Sequence, residues 1–259
     1  MKLMINHQTH YVYTEQAKNS IQYIKMTPQN NAHQQVLSWG ISVPGLVQQQ
    51  LDAFQNIWLT SSQRFSYHSM TIMAQGTIDI QQDSAKAIDI DLRPSIFLQI
   101  TPSTICDDQM IQFARNYIPF VSHQNLVRLS EALLQHMPYI SYSTHVTTTA
   151  TEAFHHQQGV CQDHSHVFIG MCRALGIPAR YASGYLYVPE SIHLASHAWA
   201  EAFIEGEWHT FDVSNQKYMP SSHIYIAIGR DYWDVAPIRG VREKGGIESM
   251  STIVQVLPC

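Results

Sequence analysis

Residues 197–212 read His197-Ala198-Trp199-Ala200-Glu201-Ala202-Phe203-Ile204-Glu205-Gly206-Glu207-Trp208-His209-Thr210-Phe211-Asp212. The alternation places His197, Trp199, Glu201 and Phe203 on one face and the alanines on the other, the period-2 pattern of a half-buried strand. Glu205-Gly206 fits a two-residue hairpin loop. With that loop Ile204 faces Glu207 and Trp199 faces Asp212. His197 and Asp212 then become diagonal neighbours on one face, roughly 7–8 Å apart between backbones, within reach of an imidazole–carboxylate hydrogen bond. A three-residue loop would send Asp212 to the opposite face.

Upstream the periodicity is helical. Leu126, Leu129, Leu133 and Met137 recur at helical spacing before Pro138, predicting a helix over about 123–136. Thr149-Ala150-Thr151-Glu152 matches a capping box, and Gly159 is the expected stop of that second helix. Phe168, Met171, Cys172 and Leu175 form a third apolar stripe closed by Gly176 and Pro178. Strands return after Pro178, at 180–188, 197–204, 208–213, 224–228 and 252–257. Helices followed by an antiparallel sheet define an α+β unit.

From His10 to about Ile90 the chain reads differently. Tyr11-Val12-Tyr13, Ile21-Gln22-Tyr23-Ile24, Val36-Leu37-Ser38-Trp39 and Met70-Thr71-Ile72-Met73 are strand-like runs punctuated by Pro28, Pro44-Gly45 and Gly76. An antiparallel, sandwich-like β-domain is expected over residues 1–95 and the α+β domain over 96–259. The connection falls in the polar, Pro-containing passage that includes Gln81-Gln82-Asp83-Ser84, Pro94 and Pro102.

Composition narrows the function classes. Of 259 residues 45% are hydrophobic and 14% charged, and the formal net charge is −5, without the basic field that nucleic acid or an acidic membrane attracts. Four cysteines are too sparse for a disulfide scaffold and fit a reducing compartment. The first eight residues lack the apolar run of a signal peptide, and no stretch approaches the ~18–20 apolar residues of a membrane span. A cytoplasmic location is expected.

Cys161 carries the chemistry. At a helix start its sulfur meets unpaired N–H groups and the positive end of the helix dipole, a placement that favours thiolate. Cys172, mid-helix on the apolar stripe, is assigned to packing. A thiolate nucleophile needs a base, and the base needs an orienting group. Cys161 as nucleophile, His197 as base and later acid, and Asp212 as orienter form a consistent triad. Trp199, Tyr185 and Asp163 are substrate-binding candidates, each with a plainer reading: core packing for the two rings, a helix-start carboxylate for Asp163. His164 and His166 lie two apart on a predicted helix and point about 200° apart, so they cannot share an ion. No metal site is expected. Phosphate-binding glycine patterns are absent, so no cofactor is expected.

Gly159-Val160-Cys161-Gln162-Asp163-His164-Ser165-His166, Leu175-Gly176-Ile177-Pro178-Ala179-Arg180-Tyr181, Gly184-Tyr185, His197-Ala198-Trp199-Ala200-Glu201 and Phe211-Asp212 together closely resemble the transglutaminase-like superfamily. The resemblance covers roughly residues 100–259 and is nearest to the bacterial two-domain branch, which places a β-domain before the core. Residues 229–240, Gly229-Arg230-Asp231-Tyr232-Trp233-Asp234-Val235-Ala236-Pro237-Ile238-Arg239-Gly240, are similar to a motif of that branch. The sequence departs from the commonest form at His164-Ser165, where an aromatic and a small residue are more usual.

The resemblance implies a papain-like fold and a Cys-His-Asp triad that falls on Cys161, His197 and Asp212. It also implies attack on a peptide or carboxamide carbonyl through a thioester, a chemistry shared by proteases, amidases and cross-linking enzymes; a protease or amidase is the expectation. The competing class is a non-catalytic peptide-binding or assembly module, which would show ordinary thiol reactivity at Cys161. The expected partner is a protein or peptide substrate. An exposed edge of the β-domain would allow a homodimer.

Overall fold

The computed structural model describes residues 1–82, 91–189 and 196–259. Asp83-Ser84 of the expected connection lie outside the described residues. Five strands come first: β1 (Lys2–Ile24), β2 (Gln34–Ser42), β3 (Leu46–Leu51), β4 (Ile57–Gln63) and β5 (Tyr67–Ile80). Two 3₁₀ turns, Pro94–Leu98 and Pro102–Thr104, lead into α1 (Asp108–Tyr117), α2 (His123–His136), α3 (Ala150–His156) and α4 (Cys161–Ala174). There follow β6 (Ala179–Leu186), β7 (His197–Ile204), β8 (Glu207–Phe211), β9 (His223–Gly229), α5 (Tyr232–Val235), β10 (Ile238–Lys244) and β11 (Glu248–Pro258).

β1 organises the first sheet. Its inward residues are the odd-numbered Leu3 to Tyr13 and Ala17, then the even-numbered Ser20, Gln22 and Ile24. A bulge between Lys18 and Ile21 changes the parity, with Asn19 at φ 48° absorbing the extra residue. Residues as far as Tyr13 pair with β5 and β11, Ala17 and Lys18 already reach β10, and those after the bulge pair with β4 and β10. Tyr11, Met70 and Ile72 from one half meet Ile24 and Leu59 from the other in one apolar cluster. The sandwich-like form thus comes from a single sheet bent through β1.

The second sheet, in order β8-β7-β6-β9, is antiparallel and covered by α4. Ala198, Ala200 and Ala202 give β7 a flat face toward the helical core, while Trp199 joins Phe54, Phe97 and Trp208 on the other side. β7 is therefore covered on both faces, where alternation alone predicted one. The hairpin is as read: Ile204 pairs with Glu207 and Ala200 with Phe211 around a two-residue loop.

Other sequence-based expectations need correction. The strand expected at 252–257 lies in β11, which pairs with β1 in the first sheet, not in the second. Residues from Ile238 onward thus stand on the sheet formed by the N-terminal residues, and a simple division at residue 95 does not follow the sheets. Leu3, Ile5, Ile78, Val254 and Val256 share one core with Leu126, Phe168 and Tyr185. Helix α1 was not anticipated; Asp107 caps it through Met110 N–H at 2.9 Å. α3 ends at His156, before Gly159, because Gln157 takes the left-handed cap at φ 52°.

Side-chain amides close the outer edge of β9. Gln34 accepts from Tyr225 N–H at 2.8 Å and donates to its carbonyl at 2.9 Å. Asn56 does the same for Ile228, at 2.8 and 2.7 Å. Each amide takes the place of a strand residue, so this edge is closed to further pairing.

Candidate active site

Cys161 opens α4 because the preceding backbone turns sharply into the helix. Val160 is extended, and its N–H donates to Asp163 Oδ2 at 2.8 Å. A Cβ on Gly159 would lie 2.7 Å from that of Asp163, so only glycine lets the carboxylate fold back. Thr144 Oγ donates to the same oxygen at 2.6 Å. Burial raises the Asp163 pKa and these hydrogen bonds oppose it. As the first helical residue, Cys161 has no intrahelical acceptor for its own N–H.

His197 starts β7, and Asp212 follows β8 directly. His197 Nε2 donates to Asp212 Oδ2 at 2.8 Å, so the diagonal contact expected from the hairpin register is present. Cys161 lines the same cleft as His197, and its side chain is among the groups that raise the His197 pKa. Burial works against charge on His197, but the Asp212 carboxylate, its hydrogen bond and the neighbouring Cys161 outweigh it and raise the pKa to about 10. Burial would likewise raise the Asp212 pKa, yet His197 and His223 hold it well below the usual carboxylate range. Asn215 completes the shell, its backbone N–H and side-chain amide donating to Asp212 Oδ1 at 3.2 Å each.

A cleft of about 350 Å³ opens over Cys161 and His197, lined by Tyr139, Leu186, Val188, Ser196, Ser214 and Asn215. The three substrate-binding candidates do not line it. Trp199 is fully buried beneath the site, its ring stacked on that of His197 at 6.0 Å. Tyr185 is buried, with its hydroxyl 2.9 Å from His7 Nδ1, and so joins β6 to β1. Asp163 is the helix-start residue described above. The two rings pack in the core, and Asp163 closes the turn into α4.

Sequence reasoning missed Tyr139, Ser214 and Asn215, which lie in irregular segments. A parallel bridge between Tyr139 and Gly159 holds the first of these against the start of α4. Ser214 is tied to the departure at His164. That buried ring donates from Nε2 to the Met137 carbonyl at 2.6 Å and accepts at Nδ1 from Ser214 Oγ at 3.0 Å. It thus links the end of α2 to the cleft wall. His223 was missed as well: its Nε2 lies 3.0 Å from Asp212 Oδ2.

His197, Asp212 and His223 each offer one ligand atom within 4.8 Å of the others, the only such grouping of three among the described residues. The two hydrogen bonds to Asp212 account for that closeness. Among the described residues no helix is long and apolar enough to cross a membrane.

A cysteine-bearing helix start packed on an antiparallel sheet, with a His at the start of one strand and an Asp just past the end of its neighbour, defines the papain-like α+β class. Residues 117–213 match the core profile of the transglutaminase-like superfamily, and residues 3–79 match the bacterial transglutaminase-like N-terminal region. The chain thus carries a transglutaminase-like core preceded by a bacterial transglutaminase-like N-terminal region. Among similar sequences is an uncharacterized protein of Mycobacterium leprae, 25% identical, with 98% of each chain covered. Another, of Mycobacterium bovis, is 25% identical over 92% of this chain and 86% of its own. A crystal structure of a candidate cysteine protease from Cytophaga hutchinsonii has the same fold, with TM-score 0.80 and 23% identity over 99% of this chain and 90% of that one.

Proposed function

We propose that this protein is a cysteine-dependent hydrolase of peptide or carboxamide bonds, acting through Cys161, His197 and Asp212. The observation that carries the reading is that Cys161 and His197 line one open cleft while His197 is hydrogen-bonded to the buried Asp212. The Cys161 thiolate attacks the carbonyl carbon and the oxygen becomes an oxyanion, for which the Cys161 N–H at the start of α4 is the nearest preorganised donor. The C–N bond breaks as imidazolium His197 protonates the leaving nitrogen. A thioester remains. His197 then takes a proton from water, the hydroxide adds to the thioester, and the carboxylic acid departs as the thiolate re-forms. Asp212 stabilises the imidazolium throughout and fixes the tautomer.

Mass spectrometry of a broad peptide set incubated with the protein, with and without an added primary amine, tests this reading. Cleavage or deamidation that disappears in Cys161→Ala is the expected result. Amine adducts without hydrolysis would replace water by an amine as acceptor. No change in any peptide would overturn the reading.

A further inference from the structure

Asp212 serves two imidazoles. Its Oδ2 lies 2.8 Å from His197 Nε2 and 3.0 Å from His223 Nε2. His223 is fully buried at the start of β9, and its carbonyl is held by His33 Nε2 at 2.8 Å. Trp199 packs against both rings, 6.0 Å from His197 and 4.7 Å from His223. The Nδ1 of His223 is buried without a hydrogen-bond partner among the described residues. A second proton there would be an unsatisfied buried donor, so the arrangement calls for the neutral ring with its proton on Nε2. Burial lowers the His223 pKa against the opposing pull of Asp212.

We propose that His223 is a positioning residue of the triad: its Nε2–H holds the Asp212 carboxylate toward His197 and takes a share of the charge on Oδ2, so that His197 releases its proton at lower pH than it would as the sole imidazole on that oxygen. This rests on the reading of Cys161, His197 and Asp212 as the catalytic groups. A donor to a carboxylate disperses its charge and weakens its field at a neighbouring cation. A base whose pKa lies nearer the working pH transfers protons more effectively. The titratable groups facing His223 are Asp212, His197 and Lys217, with His33 on its backbone side and Glu201 beyond.

Histidine-labelled protein, observed by NMR across pH, gives the tautomer of His223 and the titration midpoint of His197 in wild type, His223→Phe and His223→Gln. Wild-type His223 is expected to carry its proton on Nε2. The His197 midpoint is expected to rise by about one pH unit in H223F, and to fall part of the way back in H223Q, whose amide can donate to the same oxygen. A residue that only packs would lower the melting temperature and leave the midpoint unmoved. Equal midpoints in the folded proteins would overturn the proposal, as would a wild-type His223 protonated on Nδ1. If H223F does not fold, the wild-type tautomer and the H223Q midpoint still decide. None of these readouts needs turnover. An unmoved midpoint in an active enzyme removes only the role of His223, whereas peptide inertness with a moved midpoint removes only the hydrolase reading.

Discussion

Replacing Asp212 by Asn tests the electrostatic centre of the site. The carboxylate is fully buried and accepts from His197 Nε2 at 2.8 Å, His223 Nε2 at 3.0 Å and the Asn215 side chain at 3.0 Å, all on Oδ2. An amide offers one oxygen and one NH₂, so wherever the NH₂ points it meets N–H donors. One buried donor left unpaired and one lost ion pair together cost about 3 kcal/mol. For a chain of this size that lowers the melting temperature by roughly 6–12 °C.

The pH dependence of that cost gives a sharper test. His197 is raised from 6.5 to about 10 in the folded protein, so its stabilisation is complete below pH 6.5 and is lost as pH rises toward 10. D212N removes the partner that raises it, and the stability gap between the two proteins should narrow steadily over that window. Urea unfolding followed by tryptophan fluorescence, at pH 6.5 and at pH 10, measures both. A gap that is absent at pH 6.5, or equal at the two pH values, would refute the reasoning.

Iodoacetamide at pH 7, read by peptide mass spectrometry, should label Cys161 ahead of Cys106, whose thiol burial pushes up to about 12, and of the fully buried Cys172. His197→Ala should slow Cys161 on the order of 10²-fold. Asn56→Leu should leave the Ile228 N–H and C=O unpaired and cost about 2–4 kcal/mol in a denaturant titration. Burial lowers the pKa of His7 to about 4, so the stability it allows is complete above pH 6.5 and is lost as pH falls toward 4, by on the order of 3 kcal/mol. His7→Gln should flatten that part of the pH–stability curve.

The parts legible in the sequence are those with a strict local period. The β7–β8 hairpin could be registered residue by residue because a two-residue loop leaves one pairing, and the register brought His197 to Asp212. The boundaries of α2 and the start of α4 follow from apolar stripes with recognisable stops and caps. β3 was missed because Leu46-Val47-Gln48-Gln49-Gln50-Leu51 is an exposed edge strand with no alternation to read. Met110, Phe113, Ala114 and Tyr117 do carry helical spacing after the Asp107 cap, so α1 was within reach of the same reasoning. His223, Ser214 and Tyr139 were beyond it, because they meet the site through tertiary packing across 11 to 50 positions of sequence. Trp199 shows the opposite error: its place beside His197 in the sequence suggested a groove wall, and the sheet turned it inward.

The pairing of Leu3 with Pro258 through Tyr13 with Glu248 has a consequence for how the molecule is made. On the ribosome β1 emerges well before its neighbour β11, with helices α1 to α5 and the whole second sheet synthesised in between. Until then one long edge of β1 stands open, a template for any passing strand. Completion of the first sheet therefore follows synthesis of the second, and a nascent chain stalled short of residue 248 would hold Cys161 on an unfinished foundation.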